Sequence, residues 1–315
     1  MSSKISCVAT AYAFDGRRFQ PMDLASSRAL RWAAWRPDGS ACLLAGNGGS
    51  ALLYDGNRTE YLTTPTKQNL RGAAWSPDGM TALLVGNRGA LLRLRGEAVD
   101  ELETQTAENL RRVAWHPSGA YALVVGNTGT VLRYDRAGGN VVPLPADRAH
   151  TLRSVAFRPD GAYALVGAYA SRWAGYPRPH ALYRCDGRFL QALLASDDED
   201  DFVSIDWRAD GEALVCGYAW RPDGSMVNKA LLYDGSAWRT QTWTSGRVVL
   251  GGGWQPGADS AVLVGEGGLA VRLRQKGGIE ELASETTDNL IGPFWRPDGA
   301  YAIVLKGPGE RVYTV

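Results

Sequence analysis

The sequence predicts an all-β fold: a seven-bladed β-propeller of four-stranded blades, with residues 1–315 forming one domain. Three observations predict it. An aromatic residue followed by a Pro/Gly turn recurs as WRPDG, WSPDG, WHPSG, FRPDG, WRADG, WQPGAD and WRPDG, at Trp35, Trp75, Trp115, Phe157, Trp207, Trp254 and Trp295. The spacings are 40, 40, 42, 50, 47 and 41 residues, close to the ~40–45 that a four-stranded blade requires. No stretch sustains a helical period; β-branched and aromatic residues instead fall in short runs between turn signals.

The second unit shows the order of strands, here named A to D. "NLRGAAW" is strand A, and "SPDG" is a tight turn in which Pro fixes φ and Gly supplies a positive one. "TALLVG" is strand B, "NRG" an Asn/Gly hairpin turn, and "ALLRLRG" strand C. "VDELETQ" is the most polar segment and is predicted outermost, as strand D. A blade of this size cannot bury both faces alone, and radial stacking buries them. The aromatic that ends strand A is predicted to plug the gap between neighbours. At the end of the chain "LIGPFW" and "AYAIVLKG" give strands A and B. The segment Ile5 to Met22 then completes that blade and closes the ring, although both "TAYAFDG" and "ERVYTV" fit its C position.

Two stretches break the regular hairpins. The B–C connection expands in unit four to Ala168–His180. In unit five "YAWRPDGSMVNK" carries a second turn motif only thirteen residues after Trp207, too few for another blade. It reads as an over-long B–C hairpin with "RPDG" at its tip.

The W-x-P-D-G turn followed by an aliphatic strand resembles the repeats of WD-repeat and TolB-like β-propellers, over nearly the whole chain. The resemblance implies a binding platform. The sequence departs from the WD-repeat pattern in one respect: no unit has the paired Gly-His and Trp-Asp signature.

Composition narrows the function. The formal net charge of +1 gives no field for nucleic acid or a membrane surface. Cys7, Cys42, Cys185 and Cys216 have neither zinc nor disulfide spacing, and read as buried free thiols of a cytoplasmic protein. The N-terminus lacks the apolar run of a signal peptide, and no run is long enough for a membrane helix.

Catalytic patterns are missing. There is no His-Glu-x-x-His, Gly-x-Ser-x-Gly or P-loop sequence. His116 falls in a turn and is expected exposed, His150 in a D–A loop and His180 at the start of a C strand. "GNGG" and "GEGG" sit at hairpin turns, not at a strand-to-helix phosphate cradle. The Asp of each PDG turn (Asp38, Asp78, Asp160, Asp210, Asp223, Asp298) reads as an Asx-turn cap. Only Asp206 places a carboxylate inside an A strand, and no metal or cofactor is expected.

Function is sought where the repeats disagree. Four residues before the motif aromatic stand Arg31, Arg71, Arg111 and Arg153 in units one to four. Val203, Leu250 and Ile291 take that slot in units five to seven. Equivalent positions of neighbouring blades lie side by side, so the guanidiniums should form an arc at the channel mouth. Such planar donors suit carboxylate or phosphate; alternatively each pairs with an acidic neighbour such as Glu108 or Asp147. On the same face the expanded B–C loops offer Trp173, Tyr176, Arg178, Trp220 and Arg221 as aromatic and cationic anchors. The acidic run "SDDEDDF" (Ser196–Phe202) between them is expected to be solvated, with cation binding or pairing to those loops as alternatives.

The expectation is a soluble, monomeric, non-enzymatic propeller that binds a protein or peptide partner through acidic or anionic groups. A lectin-like, carbohydrate-binding propeller is the alternative. A hydrolase or lyase using Asp206 at the channel mouth is the third reading.

Overall fold

The computed structural model describes residues 10–146, 150–169, 180–195 and 198–307. The chain opens with β1 (Ala11–Phe14) and β2 (Phe19–Met22). Unit one follows as β3 (Leu30–Trp35), β4 (Cys42–Gly46), β5 (Ala51–Tyr54) and β6 (Thr59–Leu62). Unit two runs from β7 (Leu70–Trp75) to β10 (Ala98–Glu101), and unit three from β11 (Leu110–Trp115) to β14 (Asn140–Pro143). Unit four comprises β15 (Thr151–Phe157), β16 (Ala164–Tyr169), β17 (His180–Cys185) and β18 (Leu190–Ala195). Unit five comprises β19 (Glu199–Trp207), β20 (Ala213–Trp220), β21 (Met226–Tyr233) and β22 (Trp238–Trp243). Unit six runs from β23 (Val249–Trp254) to β26 (Ile279–Glu281), and β27 (Leu290–Trp295) and β28 (Ala302–Lys306) follow.

All strand pairs are antiparallel within these units, and the fold is all-β. The N-terminal segment supplies the missing half of the last sheet. β1 pairs with β28 in the register Ala11↔Leu305 to Phe14↔Ala302, and β2 lies outside β1. "TAYAFDG" therefore takes the C position; "ERVYTV" lies outside the described residues.

Sequence pattern explains the layering. The B strands are buried along their length, as in "TALLVG", because each has a neighbour on both edges and both faces. The D strands are largely exposed. Each A strand packs beside the next, from β3 through β7, β11, β15, β19 and β23 to β27, and β27 packs beside β3. Cys42, Cys185 and Cys216 are buried free thiols.

The turn motif behaves as its chemistry requires. In unit one Arg36 N–H donates to Ala41 O and Gly39, at φ +72°, donates to Arg36 O. Asp38 accepts from the Ser40 N–H at 2.9 Å, and Asp78, Asp160, Asp210, Asp223 and Asp298 make the same Asx contact two residues on. The motif tryptophans tie units together. Trp35, Trp75, Trp115 and Trp207 each donate Nε1–H to a carbonyl of the preceding unit (Phe294, Ala34, Ala74 and Ala156) at 3.1–3.2 Å. Trp254 and Trp295 find no such acceptor among the described residues.

Unit five departs from the others as its sequence predicts. β20 and β21 stay paired from Ala213↔Tyr233 to Trp220↔Met226. The chain reverses at the tip, with Arg221 N–H on Ser225 O and Gly224 at φ +83°. β16 and β19 also meet at Tyr169↔Asp201, fusing units four and five into one eight-stranded sheet.

Candidate functional site

The predicted arginines sit at one position of four successive A strands, at a bulge. The ladder slips between Leu30 and Trp32, Leu70 and Gly72, Leu110 and Arg112, and Leu152 and Ser154. The skipped residue is the arginine each time. In units one to three it donates to a neutral asparagine oxygen. Arg111 Nε donates to Asn127 Oδ1 at 2.8 Å, and Arg31 and Arg71 donate in the same way to Asn47 and Asn87. Each asparagine opens the B–C turn of its own unit. In unit four β16 continues to Tyr169, which pairs with Asp201, and Arg153 faces Asp201 of unit five, with Nε 3.4 Å from Oδ1. Glu108 pairs with none of them, and Asp147 lies outside the described residues.

The guanidiniums feel one another. Burial first, then Arg31 and Arg153, pull Arg71 down to about 10. Burial, Arg153 and Arg71 pull Arg111 down to about 9, against a smaller opposing pull from Asp201. Arg153 moves upward, because the Asp201 charge outweighs its burial.

A fifth cation belongs to this cluster and was not singled out from the sequence. Arg112 lies over the Trp32 ring, its Cζ 3.8 Å from the centroid. Its Nη1 donates to Arg71 O at 2.7 Å and Arg111 O at 2.8 Å, while its buried Nε has no partner. Burial and then Arg153, Arg111 and Arg71 hold it at about 9. The signal was present: three residues before the motif aromatic, the other units carry Trp32, Gly72, Ser154, Ser204, Gly251 and Gly292, and only unit three places a charge there.

The acidic run corrects its expectation of solvation. Glu199, Asp200 and Asp201 are buried, because they form the start of β19 under the long hairpin. Lys229 Nζ bridges Asp198 at 3.2 Å and Asp200 at 2.8 Å, and Tyr218 donates its hydroxyl to Asp201 at 2.8 Å. Pairing to the cationic hairpin and to Arg153 is what buries these charges.

Trp220 packs with Met226 and Leu250 against Val203, Tyr218 and Val248, so the hairpin leans on the apolar arc of the A strands. Arg221 begins the turn at its tip. Trp173, Tyr176 and Arg178 lie outside the described residues.

The remaining candidates for chemistry have backbone or side-chain partners within the scaffold. Asp206 accepts the backbone N–H groups of Trp207 at 2.9 Å and Trp254 at 2.7 Å. His116, expected exposed, is half-buried: it stacks on Tyr121, and its two nitrogens bond Ser118 Oγ and Gly161 O. His150 is buried. Among the described residues no three His, Cys, Asp or Glu side chains are grouped to hold a metal, and no helix is long and apolar enough to cross a membrane.

Comparison with solved structures identifies the architecture. The chain is similar to the Myceliophteria thermophila Cps50 (Swd1) β-propeller domain, with a TM-score of 0.67 over 90% of this chain and 97% of that one, at 11% identity. No protein-family model matches the chain. No curated protein matches its sequence. The fold is a β-propeller.

Proposed function

We propose that residues 1–315 form a single seven-bladed propeller, closed by β1 and β2, that acts as a non-enzymatic, monomeric, cytoplasmic binding protein. Its ligand is an acidic or otherwise anionic segment of a protein or peptide. The segment docks on the face bearing the D–A and B–C loops, with Arg31, Arg71 and Arg111 receiving the charge. Trp220 and Arg221 extend the surface over unit five, and Trp173, Tyr176 and Arg178, which lie outside the described residues, are proposed as further contacts.

One observation carries the reading. Arg71 and Arg111 are half-buried cations held by asparagine oxygens instead of carboxylates, and their neighbours at the mouth are more arginines. Concentrated like charge disfavours the empty state, and an incoming anion relieves it. Arg153 has its counter-ion in Asp201 and serves as a structural member of the arc. The non-enzymatic part rests on Asp206 and His116, the groups best suited to proton transfer, being engaged with backbone or scaffold partners.

The test is fluorescence anisotropy with a labelled glutamate-rich peptide. Wild type should bind with steep salt dependence, and Arg71→Gln/Arg111→Gln should weaken binding at least tenfold. Equal affinity in the double variant overturns the proposal.

A further inference from the structure

A second site lies in the channel wall made by units five to seven, where the arginine register ends. A cavity of about 860 Å³ runs along their A strands, from the level of Val203 and Leu250 to the A–B turns. That volume is within the ~300–1,000 Å³ of small-molecule sites. Its origin is in the sequence. Three residues before the motif aromatic, Trp32 and Arg112 fill one side of the channel as a stacked pair, while units six and seven carry Gly251 and Gly292. At that level β23 and β27 run so close that a Cβ on Gly251 would stand 2.2 Å from Gly292 O. The hollow is therefore built into the backbone packing and is not a missing side chain in one rotamer.

The lining has a definite chemistry. Trp32, Phe294 and Trp295 give it aromatic walls, Trp32 and Phe294 meeting edge to face with centroids 4.7 Å apart. Asp206 is the one A-strand carboxylate on the wall, where the equivalent slot elsewhere holds Ala34, Ala74, Ala114, Ala156, Gly253 or Phe294. At the A–B turns the charged lining residues are Arg208, Asp210 and Asp259. Arg208 pairs with Asp210 at 2.9 Å, so one guanidinium faces three carboxylates, the reverse of the arginine mouth.

Asp206 has no salt-bridge partner among the described residues. Each of its oxygens accepts one backbone N–H, which leaves acceptor capacity on both. Its burial outweighs those two bonds and raises the carboxyl to about 6. At neutral pH it is thus mainly a carboxylate in an aromatic cavity. A carboxylate among aromatic faces recognises a cation, by charge and by cation–π attraction.

We infer that this hollow half of the channel binds a small organic cation with an apolar body, of the aralkylammonium class. The ammonium sits at Asp206 and the body lies against Trp32, Phe294 and Trp295. This site adjoins the arginine cluster through Trp32, whose ring carries Arg112, but its proposed ligand does not depend on what the arginines bind.

The probes are benzylammonium, its neutral counterpart benzyl alcohol and the anion benzoate, titrated calorimetrically into the full chain at pH 7.5. Benzylammonium should bind at least tenfold more tightly than benzyl alcohol. Asp206→Asn should erase that preference. Because this variant also alters a backbone tether, Leu250→Trp provides a filler that leaves Asp206 untouched, and it should abolish benzylammonium binding. Affinity should fall as pH drops below about 6. Cys216, whose thiol burial and then the Asp206 charge push upward, stays protonated throughout that range. Asp210 and Asp259 at the turns are common to wild type and Asp206→Asn, so that comparison isolates Asp206. No binding of benzylammonium, equal binding of benzyl alcohol, preference for benzoate, or retention of binding in Leu250→Trp each overturns the inference.

Discussion

The same substitution at two equivalent tryptophans should have different costs, and the difference isolates one inter-blade hydrogen bond. Trp75 and Trp254 both end A strands and are both buried, at 8% and 4% exposure. Each has an arginine near its ring, Arg36 at 4.5 Å and Arg208 at 5.2 Å from the centroid. They differ in the indole N–H. Trp75 donates to Ala34 O at 3.1 Å, whereas Trp254 Nε1 is buried without a partner. Tryptophan to phenylalanine removes a similar volume at both sites, costing about 1 kcal/mol each in imperfect refilling. At Trp75 it also removes a hydrogen bond and strands a carbonyl, adding ~1–2 kcal/mol. At Trp254 it removes a donor that has already lost its water, so nothing is added. We expect Trp75→Phe to lose about 2–3 kcal/mol and Trp254→Phe about 1 kcal/mol or less. Urea unfolding followed by far-UV circular dichroism measures both from the midpoint shift at constant m. An equal loss in the two variants, or a larger one in Trp254→Phe, would refute the assignment of the indole bond as an inter-blade tie.

Four further outcomes follow from the same contacts. Arg153→Gln should destabilise by about 3 kcal/mol, because Asp201 is buried and loses its cation, whereas Arg111→Gln should be neutral or stabilising; thermal melts at pH 7 separate them. Lys229→Met should cost about 2–4 kcal/mol in urea unfolding by leaving the buried Asp200 carboxylate without its ammonium. Gly89→Ala should be strongly destabilising, by at least 2 kcal/mol on thermal unfolding, and should also displace Asn87 and weaken peptide binding. Gly89 has φ +73°, and its Cβ would lie 2.0 Å from Thr106 O. Asp206 has a folded-state pKa raised from 3.8 to about 6. The native state then holds the extra proton between those values, so this group's contribution to stability falls as pH rises from about 4 to 6. Asp206→Asn should flatten that part of the stability–pH curve, and an unchanged slope would exclude the assignment.

Much of the fold was legible because its turns are written in residues with few conformational options. Asp38 and Gly39 carry an Asx contact and a positive φ that few other pairs supply, and their recurrence sets the period before any strand is considered. The protruding hairpin was legible for the same reason: thirteen residues cannot contain a blade, so the second "RPDG" had to cap an extension. The C position of the last sheet was not legible. "TAYAFDG" and "ERVYTV" both alternate suitably, and a pattern of alternation does not encode which strand finds β28 first. The acidic run was misread for a physical reason. Solvation is the usual state of five carboxylates, and only the pairing of β19 with β20, and of β20 with β21, brings Tyr218 and Lys229 to them.

The channel shows why a repeat's exceptions carry more than its consensus. The arginine register and the position after it are neighbours on the same A strands, and large side chains, Trp32 and Arg112, follow an arginine only in units one and three. Where the register holds arginine, the wall beside it can hold Trp32 and Arg112 stacked together, and that half is filled and cationic. Where it holds Val203, Leu250 and Ile291, the adjacent Ser204, Gly251 and Gly292 are small and leave that half hollow, with Asp206 as its A-strand charge. The missing indole ties of Trp254 and Trp295 fall on the hollow side as well. An inter-blade hydrogen bond has given way there, and the Asp206 carboxylate takes over the link to the Trp254 backbone. A side chain that replaces a scaffold bond and also lines a cavity is constrained twice. Exchanging Asp206 for the alanine of units one to four should therefore lose both the tether and the charge.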